Sequence, residues 1–263
     1  MKAYLAIISS RFRMLLQYRA AAFAGIVTQI FWGWIRVMIF EAFYHSSDAV
    51  QPMAFEDVVT YVWLGQALLA IIPWNVDAEI RSMVREGTVA YELTKPVDLY
   101  NLWFSRGIAT RTAPALLRSI PIFILGLAFF GMQLPDSFAS GIAWVLAMVG
   151  AVMLSVALST LLNISLFWTL SEQGTVRMTA AAVIIFSGMI VPLPLFPDWA
   201  QTVLRLLPFS GLVDTPFRLY VGHIPPGEAI WVIAHQLIWT GIFVAWGRML
   251  IQRGMKVMVV QGG

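Results

Sequence analysis

Between Val76 and Tyr100 the chain places Asp77, Glu79, Arg81, Arg85, Glu86, Glu92, Lys95 and Asp98, eight charges in 25 positions. Over the whole sequence only 12% of residues are charged, while 59% are hydrophobic. The same stretch carries Ile80, Met83, Val84 and Gly87 at helical spacing, a narrow apolar stripe flanked by Glu79, Arg81, Arg85 and Glu86. A charged, helix-like segment thus interrupts an otherwise oily chain.

Other chemistry-bearing patterns are absent. No lysine follows a glycine, so the chain has no phosphate-cradling G-x-x-x-x-G-K-[ST] loop. There is no H-E-x-x-H, and there are no cysteines, which excludes disulfides and thiolate metal sites. The three Ser-Gly pairs, at Ser140, Ser187 and Ser210, lack the preceding glycine that an intramembrane serine protease would need. Three scattered histidines and no paired intramembrane carboxylates support neither catalysis nor a proton relay.

The elements that would hold the charged stretch are membrane helices. A mean hydropathy of +0.78 with 11 Trp and 17 Phe lies outside the soluble range. A helix needs roughly 20 apolar residues to cross the hydrocarbon core. Six stretches approach this: residues 20–43, 58–74, 114–134, 138–170, 178–191 and 229–251. Residues 1–19 read as an amphipathic interfacial helix, with Tyr4, Ile8, Phe12, Leu15 and Leu16 against Lys2, Arg11, Arg13 and Arg19. The other reading makes them the end of the first span. The expected fold is all-α, a single six-span transmembrane domain.

Lys and Arg set the orientation. The N-terminus, the second and fourth connections and the C-terminus are basic, whereas "YHSSDAVQPMAFED" and "PDS" contain no Lys or Arg. Arg205 and Arg218 alone fall on the opposite side. Both termini and residues 76–100 are thus expected in the cytoplasm.

Within the fourth span Ala143, Ala147, Ala151, Ser155, Ser159 and Asn163 recur every four residues, which lets helix backbones approach closely. This stripe fits packing inside one bundle, or a seam at Ala147, Ala151, Ser155 and Ser159 against a second subunit. Arg36 in the first span must find a partner or reach the outer headgroups, and His235 reads as a hydrogen-bonded packing residue. After the fifth span, Pro192, Pro194 and Pro197 end the helix. The short amphipathic piece Trp199–Leu207 that follows makes residues 192–225 a re-entrant outer segment, or else a plain outer loop.

These pieces resemble the six-span permease subunits of ABC transporters of the second exporter type (ABC-2), over essentially the whole chain. The specific motifs are Gly87, Leu93, Lys95, Pro96 and Val97 in "REGTVAYELTKPV", the run "GMIVPLPLFPDW" and the closing "QGG". Gly87 suits a helix C-cap, and Pro96 is placed to begin the next helical piece. The resemblance makes the cytoplasmic segment a coupling helix, with Asp77, Glu79, Ile80, Arg81, Met83, Val84, Arg85, Glu86 and Gly87 seated in a groove of a separate ATPase subunit. It also implies two ATPase subunits that bind ATP and Mg, a second permease, identical or related, and a location in a bacterial inner membrane. It implies no cofactor on this chain and no nucleic acid. Spans two and five would line the pathway, here with Tyr61, Trp63, Gln66 and residues near Ser187. The alternative is an ATP-independent secondary carrier or channel, which would be expected to show midplane ionisable groups and internal repeats.

Overall fold

The computed structural model describes residues 2–17, 19–46, 49–169 and 174–257. Its elements are α1 (Lys2–Leu15), α2 (Arg19–Ser46), α3 (Phe55–Ala67), α4 (Ala78–Arg85), α5 (Ala90–Leu93) and α6 (Leu99–Phe129). Then follow α7 (Phe138–Thr169), α8 (Thr175–Phe186), α9 (Asp198–Leu206), α10 (Asp214–Tyr220) and α11 (Ala229–Val257). Short 3-10 turns join several of them. The described residues contain no strand.

Four stretches are long and apolar enough to cross a membrane: Ala22–Ser46, Leu99–Phe129, Phe138–Thr169 and Pro226–Met255. The first, fourth and sixth expected spans fall on these helices. The third differs, because α6 begins at Leu99 rather than at Pro114 and carries Pro114 and Pro121 in its interior. Prolines inside membrane helices are tolerated when neighbours satisfy the freed backbone groups. The actual start is set by Asp98, whose Oδ1 accepts from Asn101 N at 2.9 Å.

The second and fifth expected spans are shorter than the sequence suggests. α3 has 13 residues, about 20 Å at 1.5 Å per residue. It gives way to the turn Leu69–Ile71 and then to Ile72 at ψ 134°, the extended geometry favoured before a proline, here Pro73. Every residue from Val58 to Ala67 is buried, so this short helix is sheathed in protein. α8 stops at Phe186, ahead of the prolines expected to break it. The cause is Gly188 at φ +84°, a left-handed turn that glycine adopts without steric cost. A Cβ at that position would lie 2.6 Å from Tyr61 Oη.

α7 is the hub. It packs on α6, α10 and α11, and near its end on α4. The stripe of small residues is filled by the chain's own elements. Ala147 O accepts from Gln236 Nε2 of α11 at 3.0 Å, Ser155 Oγ donates to Ile71 O, and Ser159 Oγ accepts from Arg111 Nη2 at 2.8 Å. Ala147, Ala151, Ser155 and Ser159 are all buried, so no seam for a second subunit remains there. Replacing Ala151, fully covered, with Leu should therefore cost about 1–3 kcal/mol through overpacking. The same change at half-buried Val152 should shift a detergent melting curve far less, and equal shifts would contradict this packing.

Candidate functional site

The charged stretch folds as two short helices hung between the ends of α3 and α6. Asp77 caps α4, its Oδ1 accepting from Glu79 N at 2.9 Å and Ile80 N at 3.4 Å. A cap of this kind stabilises a short helix by about 0.5–2 kcal/mol. α4 ends at Arg85 with Glu86 as its C-cap, and Gly87 turns the chain with φ +71°.

An ion cluster ties this arm to α1 and α6. Arg11 on α1 pairs with Glu79 and, at 3.4 Å, with Asp77. Arg106 on α6 reaches Glu79 at 3.7 Å and Glu92 at 3.0 Å, and Lys95 pairs with Glu92 at 2.8 Å. Tyr4 Oη accepts from Asp98 N at 3.0 Å, which fixes the other end of α1 to the start of α6. Partial burial pushes the Glu79 carboxyl up, but Arg11 and Arg106 outweigh it and hold the group below the usual carboxylate range. A depressed folded pKa means that this contribution is present above the unfolded value and is lost as pH falls through the folded one.

A second set of bonds ties the arm to the membrane helices. Arg111 of α6, buried, donates to Ile72 O at 2.8 Å, Asn75 O at 3.3 Å and Ser159 Oγ at 2.8 Å. Asn163 Oδ1 of α7 accepts from Asp77 N at 2.9 Å. Between these bonds and α1 lies a cavity of about 360 Å³ of mixed lining, with Arg11, Asn75, Asp77, Arg111 and Asn163 beside Leu15, Val76 and Trp103. Residues 72–77 thus join the root of α4 to α6 and α7.

The apolar stripe of α4 is oriented differently from the expectation. Ile80 is buried and Met83 and Val84 are half-buried, packed on a cluster with Val89, Leu99, Tyr100, Trp103 and Phe167. The stripe is spent on the chain's own body. What faces outward is Ala78, Ser82, Arg85 and Glu86, with Tyr91 73% and Leu93 43% exposed on α5. Of the remaining motif residues, Lys95 and Pro96 are exposed, Val97 is half-buried, and Gln261 to Gly263 lie outside the described residues.

The four residues expected along a pathway are interior. Tyr61 donates to Asp214 Oδ1 at 3.2 Å, and Trp63 donates to Phe130 O at 3.2 Å and stacks on its ring. Gln66 and Ser187 are buried too. Tyr61, Trp63 and Gln66 pack α3 against its neighbours, Ser187 caps the end of α8, and none forms an open wall on this chain. Arg36 donates to Met189 O and, at 2.7 Å, to Ile190 O, so it satisfies carbonyls freed where α8 breaks. His235 Nε2 lies 3.4 Å from Leu206 O, a packing contact.

Sequence reasoning counted Arg106 and Arg111 only as orienting charges and passed over Arg11 as a tether. Arg11 and Arg106 lie in the parts of α1 and α6 that face the acidic arm, a positional signal, whereas Arg111 lies more than three turns inside α6 and carries no such mark.

Residues 7–262 match the profile of a family described as ABC-2 family transporter protein. No curated protein and no solved structure matches the chain. With nearly its full length matched, and with long apolar helices to go with it, this chain belongs to the ABC-2 transporter family as a multi-pass membrane permease of an ABC transporter.

Proposed function

We propose that the chain is the membrane half of an ATP-driven exporter, with six passes, both termini in the cytoplasm and a bacterial inner membrane as its site. Two passes would be α3 and α8, short helices continued by irregular backbone against protein, which the membrane interior tolerates. Residues 192–225 would then form the re-entrant outer segment. Trp199, Val203 and Leu206 of α9 are exposed there while Ala200 and Leu204 pack inward, which suits an interfacial position. Two ATPase subunits, which bind ATP and Mg, would dock beneath a pair of permeases, identical or related.

One observation carries this reading: the arm from Asp77 to Asp98 is clamped to α1, α6 and α7, yet keeps a polar face open beyond them. Members of the family work with ABC ATPase subunits, and this face is the part of the arm left for such a subunit. The docking residues are then Ser82, Arg85 and Glu86, with Tyr91 and Leu93 as the apolar anchors.

The test is affinity purification in mild detergent, with co-purifying chains identified. Wild type should bring down an ABC ATPase. The double variant Ser82→Trp/Glu86→Lys, on an exposed face, should keep its melting temperature and lose ATPase about ten-fold, equivalent to ~1.4 kcal/mol. Absence of any ATPase from the wild-type preparation would move the reading to an autonomous carrier.

A further inference from the structure

Away from the arm, α6 carries one more cation within its membrane-length run. Arg118 points at α2, where its guanidinium lies over Gly25. A Cβ at residue 25 would stand 2.9 Å from Arg118 Cζ and 3.0 Å from its Nε. Among the described residues the buried Nε has no partner, and no carboxylate pairs with the side chain. The local sequence supplies none: α6 contains no Asp or Glu, and neither does α2 between Ala22 and Phe40.

One helical turn beyond Gly25 sits Gln29, only 3% exposed, with neither its amide nitrogen nor its amide oxygen bonded. A buried amide with both ends empty is costly and rare. A lone arginine reaching for the interface would explain Arg118 but leave Gln29 unexplained. Gly25 and Gln29 are four residues apart and so share one face of α2, along which the Arg118 guanidinium supplies a planar fork of donors and Gln29 a further N–H donor. That set matches a phosphate or carboxylate, which arginine binds through paired N–H bonds.

Depth narrows the ligand. Gly25 lies six residues after Arg19, about 9 Å along α2. α2 is 28 residues, about 42 Å, against a hydrocarbon core of about 30 Å. The guanidinium therefore sits near the boundary of headgroups and acyl chains, in the leaflet next to α1. Phe23, Val27, Leu116 and Ile120 on the same two helices are exposed and apolar, a surface for acyl chains.

We propose that Arg118 and Gln29 bind the anionic head group, phosphate or carboxylate, of an amphiphile held at the seam of α2 and α6. The binding requires no ATPase, so its test is independent of the proposed coupling. The full chain, purified in detergent, is melted with dioctanoyl phosphatidylglycerol, with dioctanoyl phosphatidylcholine and with inorganic phosphate. Wild type should be stabilised by the anionic lipid at about ten-fold lower concentration than by the zwitterionic one, the scale of one charge-assisted contact. Arg118→Gln should abolish that preference, Arg118→Lys should keep part of it, and Gln29→Leu should weaken it. Arg36→Gln should leave it intact. Stabilisation by inorganic phosphate equal to that by the lipid would assign the site to a free anion. If Arg118→Gln melts like wild type without lipid and keeps the preference, or if wild type shows none, the proposal is overturned.

Discussion

Asp214→Ala should destabilise the permease by about 3–5 kcal/mol, the usual cost of breaking a buried ion pair from one side. Asp214 is completely buried, and its carboxylate joins three separate elements. Oδ1 accepts from Leu193 N at 3.0 Å, just after the break in α8, and from Tyr61 Oη of α3 at 3.2 Å. Oδ2 faces Arg218 of α10 at 3.5 Å. The backbone contributes as well, with Asp214 N donating to Ser187 O at 3.0 Å. Truncation would strand a backbone N–H, a phenol and a guanidinium in one stroke. Asp214→Asn keeps an acceptor for Leu193 and Tyr61 but takes the carboxylate from Arg218, which retains its contact with His223 Nδ1 at 3.3 Å, so its cost should be smaller, about 1–3 kcal/mol. Thermal melts of the detergent-solubilised chain should rank wild type, Asn, then Ala. A melt for Asp214→Ala within a degree of wild type would show that residues 192–225 are organised by packing alone.

The residues that make this network were the hardest to read in advance. Asp214 is one acid in the apolar run "GLVDTPF", with no periodic pattern to mark it as buried. The long helices were legible because length and apolarity are properties of a single segment, as α2, α7 and α11 show. α3 and α8 were overestimated for the converse reason. Their ends are set by Pro73 acting on Ile72 and by Gly188 fitting beside Tyr61, and the second of these is a tertiary contact. The small-residue stripe on α7 and the apolar stripe on α4 pose the same problem. Periodicity says that a face is covered, not what covers it. In both cases the chain itself does: Gln236, Ile71 and Arg111 fill the first, while Val89, Trp103 and Phe167 fill the second. The charge density of residues 76–100 did locate the arm, but half of those charges hold it in place.

Under the proposed function, that division of labour would separate docking from transmission, and Arg111 is the residue that tests it. Its guanidinium holds Ile72 O, Asn75 O and Ser159 Oγ, joining the end of α3, the root of α4 and the middle of α7 through one planar group. Arg111→Leu removes all three bonds while leaving Ser82, Arg85, Glu86 and Tyr91 on the open face. Each orphaned acceptor costs about 1–3 kcal/mol, offset in part by no longer burying a charge, so a net loss of about 2–4 kcal/mol is expected. Asp77 N would still bond Asn163, and Ile80 would still be buried, so the arm should stay folded and attached. ATPase co-purification should then remain within about two-fold of wild type. Permease-dependent stimulation of hydrolysis, measured as reconstituted complex against isolated ATPase, should fall about ten-fold or more, a change of at least ~1.4 kcal/mol in coupling. Arg111→Lys should lie between, because a single ammonium cannot reproduce the fork that spans three acceptors. The surface double variant Ser82→Trp/Glu86→Lys should show the opposite pattern, with weak docking and an unchanged fold. If Arg111→Leu retains full stimulation, force from the ATPase enters the membrane helices by the ion cluster at Arg11 and Arg106, not through residues 72–77.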